Sequence, residues 1–295
     1  MIFYISMLVM GVALATTGVL TFWQPHVWYE WIYRLILLFL GGYFGMMALW
    51  LITMGIMTLF IKKVPHTKQS KWAMFWLEQG HDCMLAIAMV RTKINGLKKL
   101  HVGEKQKFLL VCNHRSIYDS MVMTSNLKYL KISWITKASN YRVPFFGRFC
   151  YAACFYPIVK TDHLQSLESF KYASDLIASG EANVGVFPEG KRQQDDYLID
   201  FHEGVFNIAL RAKCPIVIAT SDGSDQVHRN WPFKPTTITI DILGVVPYEE
   251  LEGQTAKAIS DRVHTIMKEH LEVIDVMRFE RRTRRYKKKH ANDMQ

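Results

Sequence analysis

No charged side chain occurs between Met1 and Trp23, or again between Leu35 and Ile61. As a helix rising ~1.5 Å per residue, the second run is ~40 Å long. A bilayer's hydrocarbon core is ~30 Å thick, so this run spans it with some tilt, and the first run is just long enough. A removable signal peptide is the rival for the first run, but a basic leading region and an Ala-x-Ala-like cleavage site followed by a soluble chain are both missing. Trp23, Trp28, Tyr29, Trp31 and Tyr33 cluster between the runs, as suits a membrane–water interface. Lys62, Lys63, Lys68 and Lys71 follow the second run, and the positive-inside rule then puts the rest of the chain in the cytoplasm. Residues 1–63 are expected to form a transmembrane helical hairpin. Gly11, Ala15 and Gly18 in one helix and Gly41 and Gly45 in the other would let the two approach closely.

Beyond the hairpin, Trp72, Phe75 and Trp76 fall on one helical face. That face suits an interfacial amphipathic helix over residues 64–91 or a helix packed on a core. From Thr92 onward, short apolar runs alternate with helical ones. Strands are expected at Phe108–Cys112, Ile132–Thr136, Cys154–Lys160, Asn183–Phe187, Pro215–Ser221 and Thr236–Leu243. Helices are expected at Ser116–Asn126, Leu164–Ser179, Gly204–Lys213 and Thr255–Glu272. This rhythm predicts an α/β domain over 92–276, with a mixed sheet flanked by helices. The net charge of +10 is concentrated in the tail 277–295, where eight Lys or Arg between Arg278 and Lys289 face only Glu280. Beside a membrane segment, anionic lipid is a better partner for such a tail than nucleic acid. The five cysteines are odd in number and form no C-x-x-C pair, which argues against a zinc site or a disulfide framework. Walker, G-x-S-x-G, H-E-x-x-H and dinucleotide fingerprints are absent, so neither a metal nor a cofactor is expected.

The chemistry is expected at Phe108-Leu-Leu-Val-Cys-Asn-His-Arg-Ser-Ile-Tyr-Asp119. An apolar strand here breaks at Asn113 and His114, and Ser116 is a good helix N-cap. On one continuous helix His114 and Asp119 would point ~140° apart. They meet only if His114 lies on the turn and Asp119 in the first helical turn. An imidazole so placed can take a proton from an alcohol, and a carboxylate behind it fixes the tautomer and stabilises the cation that forms. Ser116-x-x-Asp119 is equally a capping box, which needs no catalysis.

A second strand-to-turn stretch is Val184-Gly-Val-Phe-Pro-Glu-Gly-Lys-Arg192. Asn-His-x-Ser-x-x-Asp followed about 70 residues later by Phe-Pro-Glu-Gly-x-Arg resembles the glycerophospholipid acyltransferase family, 1-acyl-glycerol-3-phosphate acyltransferase type, over roughly residues 90–245. The resemblance implies a membrane-bound enzyme without a cofactor. Its donor would be an acyl thioester, acyl-CoA or acyl-carrier protein, and its acceptor a lysophospholipid. It implies His114 as general base, oriented by Asp119, with Ser116 beside them as a substrate-binding residue. Glu189 would bind the glycerol portion, Gly190 would admit the ligand, Arg192 would grip the phosphate, and Lys137 in Lys137-Ala-Ser-Asn-Tyr-Arg-Val-Pro-Phe-Phe-Gly147 would face it. Lys160 stands where the family usually carries arginine, which keeps the charge and loses the bidentate fork. Backbone amides in the first turn after His114 are expected to hold the oxyanion. Phe201-His-Glu-Gly204, and Ile218 in place of a second proline, depart from the family pattern and leave another lysophospholipid or glycerol 3-phosphate open as acceptor. On the residues alone, Glu189 and Arg192 also suit a surface ion pair. A non-catalytic membrane-tethered binding protein is the reading from another class.

Overall fold

The computed structural model describes residues 2–21, 30–100, 106–144, 146–159, 162–193 and 198–290. The two charge-free runs form helices α1 (Ile2–Thr21) and α2 (Glu30–Thr58), both long and apolar enough to cross a membrane. They pack against each other in opposite directions. A Cβ on Gly11 would lie 2.8 Å from the Phe39 carbonyl oxygen, and one on Gly42 2.7 Å from that of Met10. The close approach therefore uses Gly11, Gly18 and Gly42. Gly41 and Gly45, expected at the contact, face open space.

Helix α3 (Lys71–Ile87) starts from Ser70, whose side chain caps the Ala73 amide. Its Ala73, Trp76 and Leu77 face the core, while Trp72, Phe75, Met84 and Ile87 are exposed. Phe3 stacks on Trp50 at 4.0 Å and touches Trp76, so the foot of the hairpin is docked on this helix. Because Trp50 meets Trp76 and Arg148 donates to the Thr58 carbonyl, α2 descends as α3 rises. The earlier part of α2 thus lies toward the end of the domain where α3 terminates.

Among the described residues seven strands follow: β1 (Val90–Asn95), β2 (Leu109–Cys112), β3 (Ile132–Lys137), β4 (Tyr156–Ile158), β5 (Asn183–Val186), β6 (Ile216–Asp222) and β7 (Thr236–Val246). Their order is β1-β7-β6-β2-β5-β3-β4, parallel throughout except between β6 and β7. The sheet is mixed, as expected. In β2, Leu110 and Cys112 join the core that includes α3, α4 (Tyr118–Asn126) and α5 (Phe146–Ala152). Leu109 and Val111 join the core under α6 (His163–Ala178), α7 (Asn207–Ala212) and α9 (Ala256–His290), on the opposite face. Alternate residues thus fill two cores, which is why β2 reads as an unbroken apolar run. The short helix α8 (Val227–Asn230) lies in the link from β6 to β7.

Several boundaries differ from expectation. Strand β1 was not anticipated; Arg91 and Lys93 on an exposed edge mask its pattern. β4 is shorter and β7 longer than expected. The 204–213 helix divides into a 3-10 turn, Glu203–Phe206, and α7. The last helix continues through the basic segment to His290.

Candidate active site

Topology brings the key segments together. β2, β5 and β6 are parallel neighbours, so the turns that follow them share one end of the sheet. His114 follows β2, Glu189 follows β5, and Ser221 and Asp222 close β6. The ends of parallel strands at such an edge are where α/β sheets gather functional groups.

His114 lies on the turn and Asp119 in the first turn of α4, with Nδ1 of the imidazole 3.1 Å from Asp119 Oδ2. The helix begins at Tyr118, after Ile117, so Ser116 is not its N-cap. Asp119 supplies the local closure instead: its Oδ2 accepts from the amides of Arg115 at 2.8 Å and Ser116 at 2.7 Å. Those two amides are therefore committed to the carboxylate. The expected oxyanion role for the first amides after His114 fails at Arg115 and Ser116 for that reason.

Asp119 is fully buried. Burial alone would raise its carboxyl, but hydrogen bonds from His114, Ser116 and Ser221, with the imidazole's charge, bring it below its ordinary value. The carboxylate is therefore ionised and accepts from Nδ1–H, so in the neutral form of the ring Nε2 is the acceptor nitrogen. Ser221 Oγ donates to Asp119 Oδ1 at 2.7 Å. Ser221 is itself held at both backbone atoms by the Asn113 side chain, which accepts from its amide at 2.7 Å and donates to its carbonyl at 3.0 Å. A lone serine at the end of β6 gives no motif-level signal, and sequence reasoning missed it.

The imidazole is also fixed through its face. It stacks on Phe187 at 4.1 Å, and Phe187 stacks on Trp134 at 5.0 Å with planes 5° apart. Trp134 Nε1 donates to Thr124 Oγ1 at 2.9 Å. A Cβ at Gly185 would collide with the Trp134 ring at 2.5 Å, so the column of rings requires glycine there. His114 still keeps 17% of its side chain exposed.

Glu189 is buried and its Oε1 accepts from the His114 amide at 2.6 Å. Burial outweighs the amide hydrogen bonds from His114 and Ile199 and, with the Asp119 charge nearby, pushes its carboxyl up to about 7. A surface ion pair with Arg192 is thereby excluded for this buried carboxylate, since Arg192 is exposed. Gly190 has φ of +61°. The Gln193 amide donates to the His114 carbonyl at 2.8 Å, so the segment bearing Gly190 and Arg192 runs beside the His114 turn. Lys137 is exposed at the same end of β3. Arg115, another residue missed, is buried with its guanidinium 3.6 Å from Asp222. Lys160 lies outside the described residues. Among the described residues, no three His, Cys, Asp or Glu side chains converge for a metal ion.

Residues 91–220 match the family model described as Acyltransferase. The chain is 26% identical over 181 residues to a putative 1-acyl-sn-glycerol-3-phosphate acyltransferase, acl-2, of Caenorhabditis elegans, covering 60% of this chain and 63% of that one. It is 26% identical over 183 residues to human 1-acyl-sn-glycerol-3-phosphate acyltransferase alpha, with 60% and 62% covered. The chain thus spans somewhat less than two thirds of these relatives' length. The crystal structure of the 1-acyl-sn-glycerophosphate acyltransferase PlsC from Thermotoga maritima superposes with a TM-score of 0.55 at 16% identity, over 70% of this chain and 80% of that one. The fold is of that type.

Proposed function

We propose that this chain, whose residues 91–220 match the Acyltransferase family model, moves a fatty acyl group from a thioester to the free hydroxyl of 1-acyl-glycerol 3-phosphate, giving phosphatidic acid. The observation that carries the reading is the partly exposed His114 imidazole, held on Nδ1 by the buried, ionised Asp119. Nε2 takes the acceptor's hydroxyl proton as the oxygen attacks the thioester carbonyl. The tetrahedral intermediate collapses, the C–S bond breaks, and the imidazolium returns the proton to the leaving thiolate. Asp119 stabilises the transient cation and needs no proton of its own. No acyl-enzyme is required.

Arg192 and Lys137, both exposed at this end of the domain, supply positive charge for the acceptor's phosphate, and a guanidinium can grip it through two bonds. Lys160 joins them in this proposal. Ser116 gives its amide to Asp119 and so shapes the turn. Glu189, bonded to the His114 amide, sets the base's position, and Gly190 admits the glycerol portion. The donor is acyl-CoA or acyl-carrier protein. The hairpin α1–α2 anchors the enzyme in a membrane with the α/β domain on the cytoplasmic face, α3 lies at the interface, and the basic tail meets anionic lipid. A different lysophospholipid acceptor is the second reading, favoured by the departures at His202 and Ile218.

The test is transfer by the purified full chain in detergent, over a panel of acceptors and donors, read by lipid mass spectrometry. Phosphatidic acid made by the wild type and lost in His114→Ala supports the reading. Equal turnover by the two proteins sinks it.

A further inference from the structure

The link from β6 to β7 lies at the His114 end of the sheet, because β6 ends there and the antiparallel β7 starts there. It presents Trp231-Pro232-Phe233 outward, with Phe233 94% and Trp231 50% exposed. Two large apolar side chains held in water cost free energy unless another surface covers them. The turn is held in shape. Phe233 and Lys234 amides donate to the Asn230 carbonyl at 3.0 and 2.8 Å, the Asn230 side chain donates to Thr236 Oγ1, and Trp231 Nε1 donates to the Ile87 carbonyl at 2.9 Å. That last bond makes the turn continuous with exposed Ile87 and Met84 at the end of α3, and so with the face next to the apolar hairpin. His228, Arg229 and Lys234 flank it, all exposed. Apolar rings at the tip with cations around them match a bilayer surface rich in anionic lipid, with acyl chains below and phosphates above.

We propose that the Trp231–Phe233 turn inserts into the lipid surface beside the mouth of the His114 site, as a second attachment besides the hairpin. It holds that mouth against the layer from which a lysophospholipid acceptor enters. The insertion rests on the reading that this chain works at a membrane. It is tested without reference to the chemistry.

The experiment uses the full chain in a Cys83→Ser background, reconstituted into vesicles of phosphatidylcholine and phosphatidylglycerol. The other four cysteines are buried. A nitrobenzoxadiazole label is placed through Phe233→Cys or, as control, through Tyr129→Cys, an exposed site just before β3 at the opposite end of the sheet. Nitroxide-bearing acyl chains should quench the 233 label at least threefold more than the 129 label. Equal quenching overturns the proposal. So does a 233 label that is shielded yet unquenched and becomes solvent-exposed on dilution, because that marks a second copy. Should acyl transfer prove absent, the quenching still decides the insertion. Where transfer is present, Phe233→Asp should slow it at least fivefold on vesicle-borne acceptor and leave it unchanged on a short-chain acceptor below its critical micelle concentration. An equal loss on both acceptors counts against the proposal.

Discussion

The turn after β2 and the link before β7 occupy the same end of the same sheet and are built in opposite ways. At the first, both oxygens of Asp119 and the amides of residues 114–116 have partners within the fold. At the second, the backbone amides of Trp231, Phe233 and Lys234 have partners while the Trp231 and Phe233 side chains are left outside. A pre-organised polar turn serves chemistry, because the groups around a reacting atom must not rearrange during the step. An apolar tip on a fixed turn serves contact. On the proposed reading, the difference teaches that one sheet end can divide its labour: the central strands β2, β5 and β6 hold the groups proposed to react, and the excursion toward the reversed strand β7 carries the surface proposed to meet lipid.

Breaking the polar side should cost most. His114→Ala is expected to lower acyl transfer ~10³-fold, within the span of general base catalysis, with the circular dichroism spectrum unchanged. Retained turnover would dissolve the contrast between the two regions. Asp119→Asn should cost ~10²-fold, because an amide no longer fixes the tautomer or balances the imidazolium.

Glu189→Gln separates position from charge. The Glu189 carboxyl is raised to about 7, so the folded protein holds a proton that the unfolded chain gives up above about 4.5. Stability from this group is therefore full below about pH 4.5 and declines as pH rises toward about 7. Glutamine keeps an acceptor for the His114 amide without the buried charge. The variant should match wild type near pH 4 and gain roughly 3 kcal/mol by pH 8 in denaturant melts. Asp119 runs the other way. Its lowered value gives stability above the unfolded carboxylate's range, lost as pH falls through the folded one. The smallest effect is expected at Ser221→Ala, about tenfold in transfer for one hydrogen bond to a charged group. The acid limb of the rate profile should shift, and Ser221→Thr should restore both. A loss with an unmoved profile would assign Ser221 to packing alone.

The polar turn was more legible in the sequence than its supports. His114 and Asp119 lie five residues apart, and one local turn decides whether they meet. Ser221 and Asn113 are 108 residues apart and meet only because β6 pairs with β2. Glu189 carried a motif, yet its direction followed from burial, which no spacing shows. The two apolar helices and the mixed sheet were readable because long charge-free runs and alternating short ones leave few other folds. Edge strand β1 was not, since its solvent-facing Arg91 and Lys93 interrupt the apolar signal. The Trp231–Phe233 turn also passed unread, because three residues between elements have no periodicity to detect.

The column of Trp134, Phe187 and His114 gives the protein a built-in optical reporter. The indole at its far end absorbs and emits in the near ultraviolet, and the imidazole at its near end closes the stack. A chain in which the other seven of its eight tryptophans are replaced by phenylalanine should change emission when a bound acceptor displaces that ring. Exchanging Phe187 for leucine should uncouple the colour from the ligand.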